Sequence, residues 1–268
     1  MTKEEQVDQK EMSFLDHLEE LRWHIIRALI SIVVFGTTVF LFKDFVFNQI
    51  ILAPKDPNFI TYRTICGLSD LLCFKPPTFK LLPRELGEQF FVHLKVSIWL
   101  GFITSFPYIL WELWRFIKPG LYKNEKKAAR GMVFICSSLF MLGVLFGYYV
   151  ISPFAVSFLA GYEISEEIIS SPTLASYVNY MTMFTVPTGI VFQLPVAIYF
   201  LSRIGLVSPS GMKKYRRHAI IAILLFAAVI TPPDVITQFL IGIPVFFLYE
   251  VSIYVSKKAY GKYQEGLS

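Results

Sequence analysis

The sequence predicts an all-α integral membrane protein, a single domain with six transmembrane helices, and three observations carry that expectation. Hydrophobic residues make up 54% of the 268-residue chain and charged residues only 17%, with a mean hydropathy of +0.54. That is well short of the charge of a soluble domain. Apolar residues gather in runs of about membrane-crossing length, separated by proline-rich or charged stretches. Lys and Arg collect in alternate connections, which is how membrane proteins encode orientation.

The first 24 residues open with the acidic, polar TKEEQVDQKE. The first apolar run is too long for a signal-peptide core and lacks a small-residue cleavage site, so no cleavable signal is expected. Met12 to Arg22 reads as an amphipathic helix: Phe14, Leu15, Leu18, Leu21 and Ile25 recur at helical spacing, and Ser13 and Asp16 have a capping-box arrangement. His17, Glu20 and His24 share another face. Their spacing could suit a metal, but a wet helical face with two histidines is ordinarily just polar, and no metal is expected.

Six spans are expected at about residues 25–42, 90–110, 131–151, 177–201, 218–231 and 235–254. Between the first two, Pro54, Pro57, Pro76, Pro77 and Pro83 forbid one long helix. The apolar pieces Phe45 to Pro54 and Leu68 to Phe74 point instead to a folded cap at the membrane surface. Cys66 and Cys73 share this loop, which faces an oxidising compartment, so a disulfide is expected, with two buried free thiols as the alternative.

The second span carries Lys95, able to snorkel near its outer end, and Pro107 near its inner end. The connection after it, WELWRFIKPGLYKNEKK from Trp111 to Lys127, is too polar for lipid, yet its Trp and Tyr suit a membrane–water boundary. Pro119-Gly120 forces a turn. Glu125 stands as the one acid in the basic run that follows, either a partner for a neighbouring lysine or a ligand for another molecule's cation. Residues 152–176 read as a loop containing Pro153, Glu163, Glu166, Glu167 and Pro172 but no Lys or Arg.

The fourth span carries Pro187, Gly189, Gln193 and Pro195, and two prolines should bend it. Arg203 to Arg217 is a second basic connection. The fifth run stops at Thr231-Pro232-Pro233-Asp234, and the sixth contains Pro244 and Glu250 before a Lys-rich tail. About twelve residues between His218 and Thr231 rise only about 18 Å, so the last two spans should thin the bilayer locally.

Orientation follows from the basic residues. One side holds Lys43, Lys55, Arg63, Lys75, Lys80 and Arg84, all in its first connection. The other holds Arg22 and Arg27, then Arg115 to Arg130, then Arg203 to Arg217, then Lys257 and Lys258. Both termini are therefore expected in the cytosol. The net charge of +5 serves topology and implies no nucleic acid. Gly-x-Ser-x-Gly, His-Glu-x-x-His, paired membrane aspartates and zinc spacings are all absent from the sequence, so neither an enzyme nor a cofactor is expected. Proline-broken spans with scattered polar groups leave a small-solute secondary transporter as the alternative, although no internal repeat or mid-membrane ionisable pair supports it.

Four motifs stand in order along nearly the whole chain: HLEELR at His17 to Arg22, Lys95 with Pro107 downstream, FIKPGLYKNEKK at Phe116 to Lys127, and TPPDVITQ at Thr231 to Gln238. Together they resemble the TatC family, the polytopic subunit of the twin-arginine protein translocase. The resemblance implies a receptor in the bacterial cytoplasmic membrane for the twin-arginine signal peptides of folded proteins. It also implies an oligomeric complex with single-span partners of the TatA and TatB type, driven by the proton motive force without a nucleotide. It places Glu20 and Glu125 at the signal-binding surface, with Arg22, Tyr122 and Lys95, and it makes Pro54, Gln193, Asp234 and Gln238 intramembrane or partner contacts. Carboxylates suit that task because each accepts an arginine in a bidentate fork. Two departures stand out: His24 where many relatives have arginine, and Gln193 where many have glutamate.

Overall fold

The structure is a computed structural model and describes residues 14–68, 73–74, 76–117, 128–162, 165, 172–230 and 235–265. Helix α1 (Phe14–Leu41) is unbroken. The amphipathic segment and the first span, expected as separate pieces, are one helix because no proline or glycine lies between Arg22 and Ile25. Its Leu29, Ile30, Val33 and Val34 are each more than half exposed, as side chains solvated by lipid would be.

Residues 42–87 hold short helices: α2 (Lys43–Phe45), a π-helical turn (Val46–Ile51), a 3-10 turn (Ala53–Lys55) and α3 (Ile60–Leu68). Irregular turns leave carbonyls without regular helical partners, and three tyrosines supply donors. Tyr148 Oη donates to the Ile50 carbonyl at 2.7 Å and Tyr177 Oη to that of Ile51 at 2.9 Å. The fully buried Tyr62 hydroxyl lies 2.9 Å from the Pro54 carbonyl and 3.1 Å from that of Pro153. A disulfide joins Cys66, in α3, to Cys73.

Helix α4 (Glu88–Ile117) packs along α1. A Cβ on Gly101 would lie 2.7 Å from the Gly36 Cα, so only glycine permits this backbone-to-backbone crossing. Helix α5 (Ala128–Phe146) runs through a π-helical turn (Gly147–Ile151) into α6 (Ser152–Gly161). This corrects the loop expected from residue 152 onward. Pro153 has no N–H for the Tyr149 carbonyl four residues back, but the Thr61 hydroxyl donates to it at 2.5 Å and the helix continues.

The fourth expected span is two helices, α7 (Leu174–Val191) and α8 (Leu194–Arg203), broken at Phe192-Gln193 with Pro195 in the first turn of α8. The Thr173 hydroxyl caps α7, and Leu82 and Thr173 form an isolated parallel bridge between the two connections at this end of the bundle. A short helix, α9 (Pro209–Lys214), capped by Ser208, lies in the basic connection before α10 (Arg216–Ile230) and α11 (Val235–Glu265). Helix α11 packs on α8 and α10.

Five segments among the described residues are long and apolar enough to cross a membrane: Leu18–Leu41, Glu88–Phe116, Gly131–Gly161, Leu174–Arg203 and Thr237–Gly261. The expected crossing at 218–231, the fifth in chain order, falls on α10, whose 15 residues span only about 22 Å. The protein is thus an all-α polytopic membrane protein, with five apolar segments among the described residues long enough to cross a membrane.

Candidate functional site

The site lies where α1 begins and α4 ends. On α1, Glu20, Trp23, His24 and Arg27 stand at positions i, i+3, i+4 and i+7, one face of the helix. The last turns of α4 present Tyr108, Glu112 and Arg115 at the same periodicity. The Glu112 side chain is 1% exposed and carries most of the contacts. Its Oε2 lies 2.5 Å from His24 Nδ1 and 3.8 Å from Arg27 Nη1. Its Oε1 accepts from Tyr108 Oη at 3.0 Å and Arg115 Nη1 at 3.2 Å. The His24 ring meets Phe116 edge-on, and the Arg115 guanidinium lies over the Trp111 ring.

Beside this network is a cavity of about 410 Å³ lined by Glu20, Trp23, His24, Arg27 and Arg115. Glu20 Oε2 is buried there, and no hydrogen-bond partner reaches it among the described residues. A carboxylate oxygen in that condition is costly unless a ligand supplies a donor. The half-exposed Trp23 beside it offers an aromatic face for a planar cation. Chemically the cavity is suited to a guanidinium.

The other sequence-predicted residues are distributed differently. Arg22 is exposed and lies off the Glu20 face. Tyr122, Glu125 and Asp234 lie outside the described residues. Lys95 stands 17 residues before Glu112 on α4, about 25 Å away along the axis, so it is not brought to Glu20. Its ammonium donates to Asn179 Oδ1 of α7, above a groove of about 470 Å³ that includes Trp99, Phe102, Met183 and Ile190. Gln193 donates to the Cys136 carbonyl of α5 at 3.0 Å, and Gln238 donates to the Leu224 carbonyl of α10 at 3.0 Å. Pro54 is buried in the folded connection under Tyr62. Among the described residues no three His, Cys, Asp or Glu side chains converge as metal ligands, and His24 is turned to Glu112 instead.

Sequence reasoning missed Glu112, Arg27 and Arg115 as parts of the site. A signal was there: Tyr108, Glu112 and Arg115 are spaced to touch on one helical face, and Arg27 continues the face of Glu20 and His24. Nothing local pairs the two helices, because His24 and Glu112 are 88 residues apart.

The family profile described as Sec-independent protein translocase protein (TatC) matches residues 16–244. The Sec-independent protein translocase protein TatC of Blattabacterium sp. subsp. Periplaneta americana is 36% identical over 256 residues, covering 93% of this chain and 96% of that protein. That of Aquifex aeolicus is 32% identical over 256 residues, covering 95% and 98%. A crystal structure of the twin arginine translocase receptor TatC superposes with a TM-score of 0.71 at 32% identity, covering 91% of this chain and 99% of that one. Family profile, sequence relatives and fold agree over nearly the full length, and the chain belongs to the TatC family of Sec-independent protein translocase proteins.

Proposed function

We propose that this chain is the signal-peptide receptor and core subunit of a twin-arginine translocase, acting in the export of folded proteins across a bacterial cytoplasmic membrane at the expense of the proton motive force. The observation that carries the reading at the residue level is Glu20, whose Oε2 is buried in a cavity with no donor among the described residues, at the end of the bundle richest in Lys and Arg. A positively charged peptide is repelled by such a field unless carboxylates reverse it locally. Glu20 and Glu125 take the two signal arginines, with Arg22, Tyr122 and the more distant Lys95 completing the binding surface.

In this reading α10 is the fifth of six crossings, both termini face the cytosol, residues 42–87 form a periplasmic cap, and the short α10 thins the bilayer. Single-span subunits of the TatA and TatB type dock on lipid-facing surfaces near Pro54, Gln193, Asp234 and Gln238.

The test is fluorescence anisotropy with the purified protein and a labelled twin-arginine signal peptide. The peptide should bind, its twin-lysine version should bind far more weakly, and Glu20→Gln should weaken binding about fivefold, the upper range for one exposed acid–arginine pair. Equal affinity for the two peptides would refute the reading.

A further inference from the structure

One carboxylate, Glu20, lines the cavity with two guanidiniums, a second, Glu112, lies buried behind them, and the pairing is unequal. Arg27 and Arg115 line the same cavity as Glu20, and both side chains are nearly half exposed, so they have room to turn. Both nevertheless lie against Glu112, at 3.8 and 3.2 Å, together with the His24 imidazole and the Tyr108 hydroxyl. Glu20 Oε2 takes none of them. The division has a physical cause: Glu112 is the more deeply buried carboxylate, and charge pairs gain more where water is excluded.

From this we infer that Glu112 is a positioning residue for signal-peptide recognition: by holding Arg27 and Arg115 it keeps them off Glu20 and leaves that carboxylate open to the guanidinium of a peptide. The inference rests on the proposed role of Glu20. With Glu112 neutral, the two arginines lose their counter-charge while Glu20 remains a carboxylate in the same cavity. They turn to it and compete with the peptide. Glu112 touches no peptide in this scheme and acts only through the arginines it occupies.

The experiment measures peptide affinity by anisotropy on full-length protein for the parent, E20Q, E112Q, R27Q/R115Q and E112Q/R27Q/R115Q. E112Q keeps the side-chain shape and a carbonyl acceptor for Tyr108, and it should weaken binding roughly tenfold. Removing both arginines in the E112Q background should bring affinity back to about the parent's, a rescue that a merely structural role for Glu112 would not produce. In the presence of Glu112, R27Q/R115Q should bind at least as tightly as the parent. Parent-like binding by E112Q, or a loss that the arginine substitutions do not reverse, overturns the inference while leaving Glu20 in place. If E112Q does not fold, weaker binding by R27Q/R115Q overturns it on its own. Parent-like binding by E20Q overturns the role of Glu20 and the inference with it.

Discussion

The two ends of α4 each carry a buried glutamate, and the two are used in opposite ways. Glu88, in the first turn, accepts only backbone amides: Arg84 at 2.5 Å, Glu85 at 3.3 Å and, from the first turn of α7, Ala175 at 2.8 Å. Glu112, near the last turn, is held by side chains, those of His24, Tyr108 and Arg115. Backbone donors cannot leave without moving the chain that carries them, so Glu88 is a fixed clasp joining the turn before α4 to the start of α7. Side-chain donors such as the half-exposed Arg115 sit on flexible stems that can change partner, so the contacts of Glu112 are less fixed than those of Glu88. The same contrast separates the folded connection, where tyrosines lock backbone carbonyls, from the cavity at Glu20, where one oxygen has no donor among the described residues.

Substitutions at the clasp end should lower stability and leave peptide affinity alone, the reverse of what is expected near Glu20. The largest effect belongs to Glu88→Ala, which strips an acceptor from the turn before α4 and from the start of α7 at once. Its melting temperature in detergent should fall further than that of any other variant here, and a drop confined to peptide binding would break the contrast. Reducing the Cys66–Cys73 disulfide comes next. It releases a closed loop with a sequence separation of 7, worth roughly 2 kcal/mol on a chain-entropy estimate. Thermal unfolding with and without reductant reads this directly, and identical curves would mean the bond does not constrain the unfolded chain.

Tyr62→Phe should cost about 1–2 kcal/mol, because the carbonyls of Pro54 and Pro153 lose a buried donor. Denaturant titration of the variant against the parent would show it. The smallest effect is expected for Ser202→Ala at the opposite end of the bundle. There the hydroxyls of Ser202 and Ser256 pair at 2.7 Å, and Ser256 has its own helix carbonyls as an alternative, so the loss should stay below about 1 kcal/mol. A cost there as large as that of Tyr62→Phe would show that hydroxyl pairs matter equally at both ends.

Much of the architecture was legible because membrane segments carry strong one-dimensional signals. Apolar run length marked the crossings, and charge asymmetry distinguished the two ends of the bundle. The motif order pointed to the family, and Glu20 was singled out as a candidate because it lies within one of those motifs. Helix continuity was less legible. Pro153 read as a stop, yet α6 follows, because the partner for the freed Tyr149 carbonyl is Thr61, 88 residues away. Gln193 was a polar side chain without an address until the Cys136 carbonyl of α5 came into reach.

What the sequence determined by itself is therefore what depends on local composition: an all-α membrane protein, its apolar segments, its charge asymmetry, and a cysteine pair close enough to bond. Only the tertiary structure decided which polar groups are spent and which remain open. Glu20 and Glu112 are both acids on membrane-boundary helices and look alike in sequence, but packing α1 against α4 buries Glu112 among His24, Arg27 and Arg115 and leaves a Glu20 oxygen without a donor among the described residues. That difference arises from desolvation and from partners brought in over some ninety residues, and neither is a property of the chain until the helices meet.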